Sequence, residues 1–260
     1  MTTWVVGDIH GCYETVVELL REIGCVDREG SWAGGSNHLW FIGDLTDRGP
    51  HGIESIDLVM RLQRQAAEAG GSAGCLLGNH EILLLGARRF LDTQIGETGA
   101  DFLGLWLMNG GKPRDLESLT ADHLAWLSAL PAVASVGRYL LIHADAGFYA
   151  GLGSNIEEAN TAVARILASP SILIWEELLT AFVRRKELDD SEPEGAESLD
   201  RLFEVFGGEV VVHGHTPIPV LLDVPAAEVS EPLVYSGGRC INIDGGMFLG
   251  SPGVALDLRL

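Results

Sequence analysis

Side chains that bind divalent metal ions recur beside glycines in four short runs of this chain. Asp, His and Asn supply the carboxylate, imidazole and amide-oxygen donors that suit Mn²⁺, Fe or Zn²⁺ rather than an ion that prefers thiolate. Two such ions held side by side activate water for attack on a substrate. The runs are Gly7-Asp8-Ile9-His10-Gly11, Gly43-Asp44-Leu45-Thr46-Asp47-Arg48-Gly49, Gly78-Asn79-His80-Glu81 and His213-Gly214-His215-Thr216.

Each of the first three runs follows a short apolar segment that is typical of a buried strand. Ligands at the carboxyl ends of neighbouring strands meet in one crevice. Asp8, Asp44 and Asn79 are separated by 36 and 35 positions, which leaves room for one crossover helix in each interval. We therefore predict a β-α-β-α-β arrangement with helices over 13–23 and 53–62.

The spacing within these runs predicts how the ligands divide. Asp8 and His10 lie two positions apart, so an extended backbone projects both to one side, where they hold one ion. Asp44 ends the next strand and is a natural bridge between two ions about 3.5–4 Å apart. Asn79 would complete the set of ligands of the second ion.

His80 is one side-chain position out of phase with Asn79 and is predicted to act as a general acid near the ions. Asp47 would hold the His80 imidazole in its protonated form. Arg48 offers a planar fork for two phosphate oxygens. The alternative for Asp47 and Arg48 is a surface ion pair, which is less favoured because the following glycine fixes the loop.

Further histidines follow apolar segments in the second half of the chain. His143 ends the run 139–142, where either a metal ligand or a hydrogen-bonded core histidine is expected. His213 and His215 lie two positions apart after the run 210–212, so we expect one of them to face an ion. We choose His215 as the ligand and place His213 behind it.

Composition narrows the class of protein. A chain of 260 residues with 47% apolar residues can bury a full core, and the metal-binding runs extend over most of it, so we predict one domain over 1–260. The net charge is −20, which opposes binding to nucleic acid or to an anionic membrane. A phosphate substrate would depend on bound dications and a few arginines.

Cysteine spacing and hydropathy predict a cytoplasmic protein. The four cysteines are scattered, so neither a disulfide framework nor a zinc knuckle is indicated. We expect no signal peptide before the first strand, and no apolar stretch approaches the ~20 residues of a membrane helix.

The rest of the chain is predicted to mix helices with short strands. The acidic segment 186–198 contains Pro193 and Gly195 and has no hydrophobic period, so we predict a mobile surface loop there. The β-rich halves predict two sheets packed face to face with helices outside. The predicted helices are 82–90, 103–108, 120–130, 156–167 and 172–185, and the predicted strands are 132–136, 139–142, 209–212, 220–224, 233–235, 240–243 and 253–258.

Taken together, the runs resemble the calcineurin-like metallophosphoesterases, in their phosphoprotein phosphatase branch. Those enzymes carry Gly-Asp-x-His-Gly, Gly-Asp-x-x-Asp-Arg-Gly and Gly-Asn-His-Glu, which are intact and in order here. The resemblance covers most of the chain and implies an α/β fold with two mixed β-sheets packed face to face and flanked by helices, an αββα sandwich. Segments similar to the small bacterial and phage members are 106–111, 142–145, 214–217 and 243–246.

The resemblance also implies a binuclear site in which manganese is the usual ion. A metal-bound hydroxide would attack in one step, with His80 and Asp47 as the acid pair and Arg48 on the phosphate. The implied ligands are Asp8, His10 and Asp44 for one ion, and Asp44, Asn79, His143 and His215 for the other.

One departure from the family pattern concerns a second phosphate-binding arginine. Similar enzymes place it shortly after a Leu/Ile-Trp pair, whereas Ile174-Trp175 here precedes Glu176-Glu177. Arg184 or Arg185 could take its place.

Three functions are compatible with these residues. The leading one is hydrolysis of phosphate monoesters on phosphoproteins or small molecules. A rival within the same fold is symmetrical hydrolysis of diadenosine tetraphosphate, since cleavage of a phosphoanhydride uses the same chemistry. Asp47 and Glu81 favour the phosphatase. The third is an inactive metal-binding module, and the oligomeric state stays open.

Overall fold

A computed structural model describes residues 1–91, 93–95 and 100–258. No helix in these ranges has the length and apolar character needed to cross a membrane. The strands are β1 (Thr3–Val6), β2 (His38–Phe41), β3 (Ser72–Cys75), β4 (Gln94–Ile95), β5 (Ala100–Asp101), β6 (Val133–Val136), β7 (Tyr139–Ile142), β8 (Val210–His213), β9 (Leu233–Tyr235), β10 (Cys240–Asn242) and β11 (Ala255–Leu258). The α-helices are α1 (Tyr13–Glu22), α2 (Gly52–Glu68), α3 (Asn79–Arg89), α4 (Phe102–Met108), α5 (Pro113–Ser118), α6 (Ala121–Ser128), α7 (Ile156–Ala168), α8 (Ile172–Phe182), α9 (Pro193–Phe206) and α10 (Ile218–Leu222).

The larger strands form two mixed sheets. The first has the order β11-β1-β2-β3, and the second has the order β6-β7-β8-β10-β9. Strands β1, β2 and β3 are parallel, as are β7, β8 and β10, whereas β11, β6 and β9 run antiparallel to their neighbours. The predicted β-α-β-α-β arrangement of the first third is confirmed, and each parallel set brings its carboxyl ends to one edge.

The two sheets pack on each other through one face and on helices through the other. Val5 of β1, together with Ile42 and Leu76 directly after β2 and β3, shares a buried cluster with Leu141 and Val212 of the second sheet. The residues that alternate with these along each strand pack against the helices, because successive side chains of a strand point to opposite faces. The fold is therefore the αββα sandwich that the sequence predicts.

Local signals explain where several helices begin. Thr120 accepts a hydrogen bond from the backbone N–H of His123 at 3.2 Å and caps α6, as its position in the sequence predicts. Asn155 caps α7 in the same way through the N–H of Glu158.

The predicted mobile loop over 186–198 is wrong in its second half, where α9 begins at Pro193. Proline suits the first position of a helix because it has no N–H to leave unpaired. Leu199 and Phe206 give α9 its buried face. The first half of the segment is also held down, since the N–H of Lys186 donates to Asp145 Oδ2 at 2.8 Å.

The predicted strand over 220–224 is also wrong, because these residues overlap the short helix α10. Pro217 and Pro219 set backbone angles that favour a helical start. Asp223 then ends the helix in the left-handed region with a φ of 54°.

The hairpin of β6 and β7, which leads to His143, is tied to α7 by one side chain. Asn160 Oδ1 accepts the N–H groups of Ala132 and Val133 at 2.8 and 3.0 Å, and its Nδ2 donates to the Val133 carbonyl at 2.9 Å.

Replacing this side chain by Asn160→Ala is expected to lower the free energy of unfolding by about 2–3 kcal/mol, because two backbone N–H groups lose their partner. Urea denaturation measures the change. Thr161→Ala, on the exposed face of the same helix, is the control and should cost no more than about 0.5 kcal/mol. Equal losses in the two variants would contradict the assignment.

Candidate active site

Loops at the carboxyl ends of the parallel strands in both sheets place the predicted site residues in one connected cluster. Asp8 and His215, which are far apart in sequence, meet directly: the backbone N–H of His215 donates to Asp8 Oδ2 at 3.0 Å. All nine predicted residues belong to this cluster, and apart from the half-buried Arg48 they are buried. They are Asp8, His10, Asp44, Asp47, Arg48, Asn79, His80, His143 and His215.

Backbone strain is concentrated in these loops. Among the described residues, eight non-glycine residues have positive φ, a conformation that L-residues rarely adopt. Five of them are site residues, so the turns that aim the ligands are the strained parts of the chain. These five are His10 (48°), Asp44 (52°), Asp47 (70°), Arg48 (61°) and His215 (72°).

Glu81 fixes the loop that carries Asp44. Its buried carboxylate accepts the backbone N–H groups of Asp44 and Leu45 at 2.8 Å and that of Gly78 at 2.9 Å. Burial, followed by the charge of Asp44, raises the pKa of Glu81 to about 7. Asp44 Oδ1 in turn accepts the N–H of His80 at 3.0 Å, which links the second and third sequence runs.

One candidate metal site consists of His10, Asp44 and His80, whose ligand atoms lie within 4.8 Å of one another. His10 Nδ1 donates to the Thr46 carbonyl at 3.0 Å, so Nε2 is the acceptor atom of the neutral ring, and it lies 3.6 Å from Asp44 Oδ2. Burial lowers the pKa of His10 well below its ordinary value. The ring is therefore neutral, which is the form that binds a metal.

A second candidate site consists of Asp44, His143 and His215, within the same distance limit. His143 Nδ1 donates to the Ile42 carbonyl at 3.0 Å, and its Nε2 lies 3.0 Å from Asn79 Oδ1 and 3.4 Å from Asp44 Oδ1. Asp44 belongs to both groups, as expected of a bridging carboxylate.

Two unpaired atoms show that these donors fit divalent ions. Asp8 Oδ1 and His215 Nδ1 are buried and have no hydrogen-bond partner, which is uncommon in a folded protein. Although burial alone would lower the pKa of His143, the charges of Asp44 and Asp8 raise it to about 10. Acidic side chains thus surround His143, and the oxygen and nitrogen donors of the site suit Mn²⁺, Fe or Zn²⁺.

The acid pair predicted from the sequence is in direct contact. His80 Nδ1 and Asp47 Oδ2 are 2.6 Å apart, and the other oxygen of Asp47 accepts the indole N–H of Trp106 at 2.7 Å. All three side chains are buried. Trp106, from α4, therefore fixes the carboxylate, a role that the sequence pattern alone did not assign.

Arg48 closes the cluster on its half-exposed side. Its guanidinium nitrogens lie 2.8 Å from His10 Nε2 and 3.1 Å from His80 Nε2. The carbon at the centre of the guanidinium stands 4.2 Å from the centre of the Phe248 ring.

A comparison of sequences identifies the family. The sequence model of the calcineurin-like phosphoesterase family matches residues 1–219. The chain belongs to the calcineurin-like phosphoesterases. The predicted family is confirmed, and with it the predicted class of enzyme, a hydrolase.

Solved structures agree with this phosphoesterase fold. A cold-active protein-tyrosine phosphatase of the psychrophile Shewanella sp. is similar over 99% of this chain and 75% of its own, with a TM-score of 0.71 and 24% identity. A protein serine/threonine phosphatase from Saccharomyces cerevisiae is similar over 93% of this chain and 66% of its own, with a TM-score of 0.57 and 16% identity. At these identities the likeness concerns the fold.

A curated relative carries another activity in its name. The symmetrical bis(5'-nucleosyl)-tetraphosphatase of Dechloromonas aromatica is 31% identical over 149 residues, which are 55% of this chain and 44% of that protein. The phosphoesterase described here thus matches less than half of the length of that relative.

Asp244 also belongs to the site, although its sequence pattern predicts no role for it. It is fully buried, and burial is the main cause that raises its pKa to about 7. Its negative charge in turn contributes, after burial, to the raised pKa of Asp8. The only signal for Asp244 was the similarity of the segment 243–246 to other members.

Arg184 and Arg185, the two predicted substitutes for the family's second arginine, have different surroundings. Glu177 is exposed on α8, and Arg184 Nε pairs with Glu187 at 2.5 Å. Arg185 lies close enough to His215 for its charge to lower the pKa of that ring, after the larger effects of burial and His143.

His213 has both ring nitrogens engaged, with the Gly214 carbonyl at 3.0 Å and the Tyr235 hydroxyl at 2.8 Å.

Manganese is expected to stabilise this phosphoesterase more at pH 7.5 than at pH 5.5. The pKa of Asp244 is raised to about 7, so between about pH 4 and 7 the metal-free folded chain holds a proton that the unfolded chain has lost. Its stability therefore falls as pH rises through this window, and bound dications replace the proton.

Thermal melts with Mn²⁺ or with EDTA measure the difference. At pH 7.5 and about 100 times the dissociation constant, Mn²⁺ should add about 2.7 kcal/mol, which corresponds to about 5–10 °C, and the shift at pH 5.5 should be smaller. Asp223→Asn, at an exposed carboxylate, should behave as the unsubstituted chain does. Equal shifts at the two pH values would contradict this account.

Proposed function

We propose that this chain hydrolyses phosphate monoesters, on phosphoproteins or on small molecules, in a metal-dependent reaction. The observation that carries the proposal is the buried contact of Asp47 with His80 at 2.6 Å, immediately beside the shared carboxylate. His80 Nε2 lies 3.9 Å from Asp44 Oδ2. A proton donor is thereby held next to the candidate metal sites, as hydrolysis of an ester with a poor leaving group requires.

We assign the ligands to two ions, for which manganese is our first choice, with Fe or Zn²⁺ as alternatives. Ions bound there supply activation of the attacking water and neutralisation of phosphate charge. Support comes from the donor chemistry and from the unpaired Asp8 Oδ1 and His215 Nδ1. The assignment is Asp8, His10 and Asp44 for one ion, and Asp44, Asn79, His143 and His215 for the other.

The other residues bind substrate and move a proton. Arg48 directs its planar N–H groups to two phosphate oxygens. His80 donates its Nε2 proton to the leaving oxygen as the P–O bond breaks, while Asp47 accepts the Nδ1–H and stabilises the imidazolium. Trp106 keeps Asp47 oriented through its indole N–H.

A monoester fits the local positive charge better than a polyphosphate does. Among the described residues, Arg48 is the one arginine whose guanidinium contacts candidate ligands, and we infer that Arg185, near His215, is a second contact for the phosphate. The chain otherwise carries a net charge of −20, which repels an anion with several charges.

We also infer that residues 1–260 form one domain, because Asp8 follows the first sheet, His215 follows the second, and the two are hydrogen-bonded. The cytoplasmic location and the absence of nucleic-acid and membrane partners stay predictions.

Symmetrical hydrolysis of dinucleoside tetraphosphates is the second candidate, and the name of the 31% identical relative favours it. With Mn²⁺ present, we expect kcat/KM for a phosphorylated peptide or aryl phosphate to exceed that for diadenosine tetraphosphate by at least about tenfold, because few cations line the site. Chromatography of the nucleotide products checks this. Faster conversion of the tetraphosphate into two ADP would reverse the order of the two candidates.

His80→Asn is expected to lower kcat by about 10²–10⁴, the usual contribution of a general acid. The loss should be greater for phenyl phosphate than for para-nitrophenyl phosphate, because the better leaving group needs less protonation. His38→Asn, outside the cluster, is the control and should leave both rates unchanged. Mn²⁺ affinity should also be kept, and its loss would make His80 a metal ligand instead.

A further inference from the structure

An aromatic side chain faces the candidate phosphate-binding arginine from a segment that carries no assigned role. Phe248 lies in a 3-10 turn, Met247–Leu249. Gly246 and Gly250 flank it, with φ values of 76° and 101° that favour glycine. The N–H of Gly246 donates to Asp244 Oδ1 at 2.9 Å. The turn is therefore anchored to a buried residue of the site.

The Phe248 ring contacts both Arg48 and His10. The guanidinium carbon of Arg48 stands 4.2 Å from the ring centre, well within the distance of a cation–π contact. The His10 ring meets the Phe248 ring at 5.0 Å and an angle of 80°. Phe248 is half-buried, so the contact forms at the mouth of the site.

Arg48 needs such a contact because its two ends are held differently. The backbone end is fixed, since its N–H donates to the Gly110 carbonyl at 2.9 Å and its φ is 61°. The guanidinium end has no ion pair with a carboxylate among the described residues. Its polar contacts are His10 Nε2 at 2.8 Å and His80 Nε2 at 3.1 Å, the atoms that the proposed function assigns to an ion and to proton transfer. Once those atoms are engaged in that way, a guanidinium with no other contact would have to be ordered on substrate binding, which costs conformational entropy.

An aromatic face suits this task better than a carboxylate does. A carboxylate would neutralise the guanidinium and occupy its N–H donors, which are the groups that phosphate requires. A ring packs on the flat face and adds no acceptor that competes with phosphate for the N–H edge.

We propose that Phe248 is a positioning residue that holds the guanidinium of Arg48 ready for the substrate phosphate, an inference that rests on the proposed function of Arg48. Substrate binding therefore depends on Phe248 through Arg48, and a ring is required rather than apolar volume alone.

Kinetics of four single variants and one double variant with para-nitrophenyl phosphate and Mn²⁺ test this. Phe248→Leu should raise KM roughly three- to tenfold, in keeping with a partly exposed cation–π contact, with kcat changed less than about twofold. Phe248→Tyr should keep the KM of the unsubstituted chain, and so should Leu249→Ala, the exposed neighbour in the same turn. Phe248→Leu should add nothing to Arg48→Ala, because the partner is already absent.

If Phe248→Leu raised KM equally in the presence of Arg48 and in the Arg48→Ala variant, the proposal would be overturned. A fall in Mn²⁺ affinity with unchanged KM would also overturn it, because Phe248 would then act through His10.

Urea unfolding of the metal-free variants gives a readout that does not depend on turnover. Phe248→Leu should raise the unfolding constant roughly two- to fivefold more when Arg48 is present than in Arg48→Ala. If the unsubstituted chain hydrolyses no phosphate ester, the proposed function fails while this cycle still tests the contact. Absence of coupling would overturn the contact itself.

Discussion

Four carboxylates buried at the junction of two sheets set the main physical constraint on this structure. Asp8, Asp44, Glu81 and Asp244 are each at most 2% exposed, and a buried charge is costly unless it is paired. Glu81 is matched by three backbone N–H groups. Asp8 and Asp244 are not fully matched, since Asp8 Oδ1 and Asp244 Oδ2 have no partner. The surrounding imidazoles and the candidate metal sites follow from this deficit of positive charge.

The sandwich supplies the rigidity that such a site needs. Strained loops persist only when the surrounding structure holds them in place. The loops that carry His143 and His215 leave β7 and β8, whose residues are all buried. Gly214 shows how closely the two sheets approach, because a Cβ built there would lie 2.0 Å from Asp8 Oδ1. A side chain at this position would force apart the contact that joins the halves of the site.

The parts of the site that the sequence predicts are those in which chemistry and local structure coincide. Asp44 and Asn79 follow apolar strands beside glycines, so residue type, spacing and topology indicate the same place. Asp244 and Phe248 lack this agreement, since their partners lie some 200 positions away and a lone acid or aromatic residue carries no spacing. Helix α9 was missed for a related reason, because an acidic start with Pro193 and Gly195 conceals a hydrophobic period that begins only at Leu199.

The distribution of positive charge connects the site to its choice of substrate. In this chain the Trp175 ring packs on Phe90 and Phe102, and Glu177 is exposed to solvent where the resemblance would place a second arginine. Under the proposed function, phosphate recognition depends on the ions, on Arg48 and on the inferred contact with Arg185. With so few cations, Arg48 is effective only if its guanidinium is already oriented. In the proposed function, the Phe248 turn and the missing arginine are therefore two aspects of one arrangement, in which orientation compensates for the small number of cations.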